Sequence, residues 1–268
     1  QFSIFLSLDN TNKEYILGYM KRKFDIVVVG AGINGQVMSL AAAHHGFSVA
    51  LIDQKKIIED TLRKFDGRAY AIAFSSVQML KNLDLWDKIS KTAQPVLNIK
   101  VSHGNLERGP YSSSITFKNA DIEESPMAHM VEDRYLRQCL NSEINKNNLV
   151  DVLEQKEVSQ IIDYNNKKQL MLNDSSKIQT SLVVASDGIK SPITKAMNIK
   201  KMGWKYKQSG LVCAVQHEYC SNNTAFQYFL PEGPLAILPL QNNIASIVWT
   251  ENIQNASTIA KMSNDEYL

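Results

Sequence analysis

Cysteine is scarce in this 268-residue chain, and the three it has are not arranged to work together. Cys139, Cys213 and Cys220 show no C-x-x-C spacing. That excludes a zinc ribbon or a disulfide framework and reads as free thiols in a reducing, cytoplasmic compartment. The five histidines (His44, His45, His103, His129, His217) form no H-x-x-x-H or H-E-x-x-H pattern, so no metal site is expected. No apolar run approaches the ~20 residues that span a bilayer. Phe2–Leu8 is apolar, but it is short, lacks a preceding basic region and runs into polar Asp9–Glu14, which makes it a poor signal peptide. The formal net charge of +2 comes from scattered lysines without a basic tract, which argues against nucleic acid as a partner. There is no internal repeat and no low-complexity segment.

What remains is ordinary globular composition, 44% hydrophobic and 21% charged, in a length that suits one large domain or two smaller ones. Met20-Lys21-Arg22-Lys23 stands directly before the first apolar run. Met20 is therefore read as the natural start and residues 1–19 as an N-terminal extension.

The most informative stretch is Phe24–Gly35, an apolar run leading straight into G-x-G-x-x-G, with Asp53 closing a second apolar run 23 residues past Gly30. Gly30 makes the tight turn off a strand. Gly32 leaves room for backbone N–H groups to approach a pyrophosphate, and Gly35 lets the following helix pack close to the sheet. The helix N-terminus presents its positive dipole end to the phosphates. A carboxylate at Asp53 is placed to accept hydrogen bonds from an adenosine ribose. Strand, glycines, helix and acid agree on a dinucleotide site formed by Gly30, Ala31, Gly32, Asn34, Gly35, Asp53 and Gln54.

Beyond this β-α-β unit, a polar loop (Lys55, Lys56, Glu59, Asp60, Arg63, Lys64) leads to Asp66-Gly67-Arg68. A helical stripe of Ile72, Val77, Leu80 and Leu83 then ends near Leu85-Trp86. Strands are expected at 98–102 and 112–117, and a helix over 133–144 with Leu136, Leu140 and Ile144 on one face. More strands follow near 149–153, 157–163, 168–172 and 180–185. From 203 onward the pattern is nearly all β, at 210–217, 225–230, 235–240 and 244–250, with a helical opening at Ser263–Glu266. The alternation of α/β and β-rich texture predicts two interleaved domains.

Three segments carry further chemistry. Asp66–Ile72 places the Arg68 guanidinium where its planar fork could grip a pyrophosphate, a loop salt bridge being the equal alternative. Ala185-Ser186-Asp187-Gly188 puts a carboxylate at a strand end facing a cofactor crevice, or else is an ordinary Asp-Gly turn. Tyr228–Leu240 is an apolar, turn-bearing segment that either walls an aromatic pocket or forms a hairpin packed on its neighbours.

Taken in this order, these segments together with Met130–Leu136 and Val248-Trp249 resemble the aromatic-ring flavoprotein monooxygenases. The likeness is nearest to the ubiquinone-biosynthesis hydroxylases and covers roughly residues 22–268. It implies a Rossmann-like FAD-binding domain interleaved with a β-rich substrate domain, as in para-hydroxybenzoate hydroxylase. The implied division is FAD domain at 20–94 and 126–200, and substrate domain at 95–125 and 201–268. The resemblance implies FAD as cofactor, with Arg68, Arg134 and Asp187 added to the cofactor-binding set and a pocket involving Phe229, Pro234, Leu238 and Pro239. It implies hydroxylation of a polyprenylated phenol through a flavin hydroperoxide formed from reduced FAD and O₂, with NAD(P)H or a protein as transient electron donor. No catalytic triad is visible and none is needed. Such an apolar substrate implies work at the periphery of the inner membrane, alongside other enzymes of ubiquinone biosynthesis. A reductase or halogenase on the same scaffold is the alternative, although the W-x-W-x-I-P-type segment of halogenases is missing.

The sequence departs from that family at several points. Asp53 replaces a more usual Glu, Asp133 stands where many members have Asn, and Lys195 replaces an arginine. No G-D-A-A-H-like third flavin motif occurs between 200 and 268, so the chain reads as an N-terminal fragment that is inactive alone.

Overall fold

The computed structural model describes residues 22–57, 65–105, 107–121, 126–218 and 223–267. The expected start at Met20, the extension 1–19, the loop residues Glu59, Asp60, Arg63 and Lys64, and Cys220 lie outside the described residues. The elements begin with β1 (Arg22–Val29), α1 (Ile33–His44), β2 (Val49–Asp53), β3 (Ala69–Ala73), α2 (Phe74–Asn82) and α3 (Trp86–Ile89). Next come β4 (Gln94–Val96), β5 (Asn98–Asn105), β6 (Gly109–Lys118), β7 (Ala128–Glu132) and α4 (Asp133–Lys146). They continue with β8 (Val150–Glu154), β9 (Val158–Tyr164), β10 (Lys167–Leu172), β11 (Lys177–Ala185) and α5 (Pro192–Ala196). The last are β12 (Gln208–Gln216), β13 (Thr224–Phe229), β14 (Pro234–Pro239), β15 (Ile244–Asn252), α6 (Ile253–Ile259) and α7 (Asn264–Tyr267).

The chain divides into two compact units, Gln1–Asp60 with Leu140–Lys201, and Thr61–Cys139 with Met202–Leu268. The first is built on a six-stranded sheet in the order β8-β2-β1-β11-β10-β9. Strands β8, β2, β1 and β11 run parallel, while β10 and β9 are antiparallel additions. Val27 and Val28 point to opposite faces and both are fully buried, so the sheet is covered on both sides. That is why β1 reads as a continuous apolar run and not as an alternation. Val27, Val29, Ala50, Ile52, Leu170 and Ile178 share one core cluster. Helix α1 buries Gly35, Gln36, Ser39, Leu40, Ala42 and Ala43. It ends as expected at Gly46, whose φ of +84° supports a Schellman-type close, with Phe47 N–H donating to Ala42 O and Gly46 N–H to Ala43 O.

The second unit holds a six-stranded sheet, β12-β15-β14-β13-β5-β6, and a three-stranded one, β3-β7-β4. Its core joins Val96, Met130, Ala225 and Leu240, with Phe65, Ile99 and Leu238 packed against them.

The division falls elsewhere than the sequence boundaries at 94/95 and 125/126. Residues 69–73 and 94–96 both pair with 128–132, so these stretches close a small sheet of their own and group with the β-rich unit. Three short elements depart from the expected string. Ile72 belongs to β3, not to the helical stripe, and β7 occupies a stretch read without a strand. Helix α6 interrupts the expected all-β run, capped by the Asn252 side chain, which accepts from Asn255 N–H.

Candidate FAD site

Of the three glycines in the first motif, two are required by the protein itself. Gly30 has φ +100°, and a Cβ there would lie 2.4 Å from Ser186 O. A Cβ on Gly35 would fall 1.8 Å from Gly30 O, so the first turn of α1 sits directly on the strand-end turn. Gly32 differs. Its φ of −65° and ψ of 176° suit any residue, and a Cβ there would meet none of the described residues within 4 Å. Among the described residues, space is left at Gly32 that no side chain fills.

Gly32 is the N-cap of α1, without a side-chain cap and without an acidic residue in the first turn. The first-turn N–H groups of this helix thus keep the partial positive charge that an anion would satisfy. Ala31 is buried and Asn34 is exposed on the first turn.

Asp53 is where the sequence put it, at the carboxyl end of β2. Both of its oxygens already accept backbone hydrogen bonds, Oδ2 from Ala31 N–H at 2.7 Å and Oδ1 from Lys55 N–H at 2.8 Å. The carboxylate therefore pins the glycine turn to β2, and each oxygen keeps a second lone pair. Gly30, Asp53, Gln54 and Asp187 line one open cleft, together with Lys156 and Ile193. Asp187 follows β11, parallel to β1, so the cleft lies at the carboxyl ends of adjacent parallel strands. Its Oδ2 accepts from Ile193 N–H at 3.3 Å, while its Oδ1 is buried with no partner among the described residues. A buried carboxylate oxygen without a donor, beside an open phosphate turn, is what a polar ligand would complete. Lys195 is exposed on α5. Lys156, absent from the sequence-level site, reaches the cleft from the β8–β9 connection and pairs with Asp174. That pairing and the Ser176 hydroxyl push the Asp174 carboxyl down to about 2.

In the second unit, Arg68 takes up an ion pair within its own loop. Nη2 lies 2.7 Å from Asp66 Oδ2 and 3.4 Å from Asp133 Oδ2. Its side chain stays 46% exposed, so the guanidinium is held but accessible. The hydrogen bond that Arg68 donates to the Asp66 carboxylate raises the Arg68 pKa above its ordinary value. Asp133, which stands where many family members have Asn, is buried and surrounded by donors: Arg137 Nε at 2.8 Å and Tyr70 OH at 2.7 Å. Burial first, and the Asp133 hydrogen bond second, raise the Tyr70 phenol above its usual range. Arg134 pairs with buried Glu132 at 2.7 Å and stacks over Phe65 and Tyr135.

The four pocket residues do not share one wall. Phe229 and Pro234 pair across a hairpin closed by reciprocal bonds between Leu230 and Gly233. Alternation puts Leu238 on the same face as those two and Pro239 on the other. Leu238 packs into the core cluster, Pro239 is buried, and Phe229 is 55% exposed. The opposite face carries two apolar rows that sequence reading missed. The register aligns Tyr228, Leu235, Trp249 and Leu211 in one row, and Phe226, Ile237, Ile247 and Cys213 in the next. Phe226 and Tyr228 are stacked with ring planes 13° apart. Among the described residues, Cys139 and Cys213 form no disulfide.

A family model described as FAD binding domain matches residues 23–266. The chain belongs to the FAD binding domain family. It is 31% identical over 237 residues to ubiquinone hydroxylase UbiL of Rhodospirillum rubrum, covering 88% of this chain and 54% of the relative. It is 28% identical over 233 residues to 3-demethoxyubiquinol 3-hydroxylase of Escherichia coli, covering 85% and 57%. Thus the chain spans about half the length of the curated relatives it matches. Among solved structures, PqsL of Pseudomonas aeruginosa, crystallised with 2-aminobenzoylacetate, superposes with a TM-score of 0.75 at 17% identity. That match covers 89% of this chain and 63% of PqsL, and it shows the shared fold. The expected α/β architecture and the family both stand on these findings. Among the described residues no helix is long and apolar enough to cross a membrane.

Proposed function

We propose that this chain works in an FAD-dependent monooxygenase that hydroxylates a polyprenylated phenol ring in ubiquinone biosynthesis. The observation that supports the reading is the space left at Gly32 among the described residues, in a member of the FAD binding domain family whose named relatives include ubiquinone hydroxylases. Bound FAD would supply the activation of O₂, chemistry that no side chain of the protein can provide alone.

The chain's own residues bind and orient. Gly30, Ala31, Gly32, Asn34 and Gly35 would take the pyrophosphate, and Asp53, Gln54 and Asp187 the adenosine side and its surroundings. In the second unit, Arg68 and Arg134 would offer positive charge to the cofactor. The face carrying Tyr228, Leu235, Trp249 and Phe226 would take the phenol ring more readily than Phe229 and Leu238. Its rings are half-buried, flat and apolar, and would exclude water from the reacting centre. In this reading NAD(P)H or a protein donates the electrons, and the substrate's prenyl tail brings the enzyme to a membrane surface alongside other enzymes of the pathway.

The test is to incubate the purified whole protein with FAD, NADPH, a short-chain prenylphenol and ¹⁸O₂, and to analyse the product by mass spectrometry. One ¹⁸O atom on the ring supports the proposal. Oxidation of NADPH with no ring oxygen, by protein shown to hold FAD, counts against it.

A further inference from the structure

Gln36 follows the third glycine and is 1% exposed in a helix otherwise buried through Gly, Ser, Ala and Leu. A buried amide is costly unless its groups are satisfied, yet Gln36 Oε1 has no partner among the described residues. What the side chain does satisfy is specific. Its Nε2 donates to Ala31 O at 3.0 Å and to Asn141 Oδ1 at 2.8 Å. Asn141 in turn donates through Nδ2 to Ile57 O at 3.2 Å. Backbone carbonyls stand at both ends of this relay and can only accept, so neither amide can be turned around without setting oxygen against oxygen.

The consequence falls on the phosphate turn. Ala31 is gripped at both ends, its N–H by Asp53 and its C=O by Gln36. A trans peptide is planar, with C=O and the next N–H on opposite edges. Pulling Ala31 C=O toward the buried Gln36 amide turns the Gly32 N–H the other way, away from that amide. An apolar residue at position 36 would pack as well but would leave that peptide free to rotate.

We propose that Gln36, anchored by Asn141, is a positioning residue that aims the Gly32 N–H at the cofactor's pyrophosphate. This rests on the FAD reading above and deepens it.

The test compares ligands that differ only in the pyrophosphate. Adenosine and ADP are titrated calorimetrically into wild type, Gln36→Met and Asn141→Ala, with apo-protein melting recorded alongside. Gln36→Met keeps the length and loses both donors. It should bind adenosine as wild type does and ADP about ten-fold or more weakly, as expected for losing an aimed donor to a charged group. Asn141→Ala leaves the bond to Ala31 but frees the amide, and should show the same split to a smaller degree. It carries the test if Gln36→Met does not fold. An unchanged ratio of ADP to adenosine affinity in the folded variants, whatever their melting temperature, overturns the proposal and assigns Gln36 to packing. Wild-type protein that binds neither ADP nor FAD would instead overturn the FAD reading itself.

Discussion

Substituting Gly32 and Gly35 in parallel separates what the fold needs from what its ligand needs. At Gly32 the backbone is in a region open to every residue and a Cβ would touch none of the described residues within 4 Å. Alanine there should leave the apo-protein as stable as wild type, or more stable by about 0.4–1 kcal/mol, because it restricts the unfolded chain. At Gly35 a Cβ would sit 1.8 Å from Gly30 O. That oxygen belongs to a turn held by Gly30 N–H to Ile52 O at 2.7 Å and by the Asp53 bond to Ala31. Relief would need a backbone shift of more than about 1 Å in a region with no slack, so Gly35→Ala should cost about 1–3 kcal/mol or more. At roughly 2–4 °C per kcal/mol for domains of this size, the two variants should melt clearly apart.

FAD binding should follow a different order. If the pyrophosphate lies at Gly32 as proposed, alanine there would intrude on it and valine would intrude further. Losing one charge-assisted contact weakens binding by about ten-fold or more. Gly32→Val should purify folded and colourless. Fluorescence titration with FAD and a melting curve on each variant decide the matter. A Gly32→Ala protein that melts well below wild type, or a Gly32→Val protein retaining stoichiometric flavin absorbance, would refute the reasoning.

Arg68→Ala should weaken FAD retention or slow flavin reduction while costing less than about 1 kcal/mol. Its partner Asp66 is half exposed, and Asp133 keeps Arg137 and Tyr70. A fall in melting temperature with normal flavin kinetics would give Arg68 a structural role instead. Stability should also depend on His129, whose pKa is pushed below its ordinary 6.5 by burial and then by Lys81, and whose Nδ1 is buried without a partner among the described residues. A histidine disfavoured in its charged form contributes stability that is full above its unfolded pKa and is lost as pH falls toward the folded one. The urea midpoint should therefore decline on the acid side of about pH 6.5, and His129→Gln should flatten that decline. An identical pH profile in the variant would exclude His129 as its source.

The β1-turn-α1-β2 unit was legible because independent constraints coincide within thirty residues of chain: an apolar run buried on both faces, glycines in a strained turn, and an acid at the next strand end. Asp187 was legible for the same reason, lying at the end of a strand parallel to β1. The Ala69–Ala73 strand was not. Alternate alanines favour a helical reading, and the strand exists because Tyr70 and Ile72 pair with Val131 and His129 about sixty residues later. The pocket residues failed to gather for a related reason. A run of apolar residues names a strand, but which of its two faces looks inward depends on register, and a one-residue offset exchanges Leu238 for Ile237. Gln36 had a readable signal, a polar side chain on the packed face of an alanine-rich helix. Its partner Asn141 lies 105 residues away, so its purpose was not readable.

The two acidic departures from the family pattern gain their meaning from their neighbours. Aspartate at 53 is shorter than glutamate, yet it reaches the Ala31 N–H at 2.7 Å, so in this chain the shorter side chain fits the turn it holds. Aspartate at 133 exchanges an amide for a charge, which in isolation would set an anion beside the cofactor. Here that charge occupies the first residue of α4, where the helix dipole favours it, with Arg137 one turn along the same helix. Arg68 bridges Asp133 to Asp66, so two carboxylates and two guanidiniums close a group of no net formal charge. The field this cluster presents is that of oriented dipoles, not of an unpaired anion. Converting Asp133 back to the amide would unbalance Arg68 and Arg137 and leave the cluster positive, so the acid is part of what lets two arginines stand side by side there.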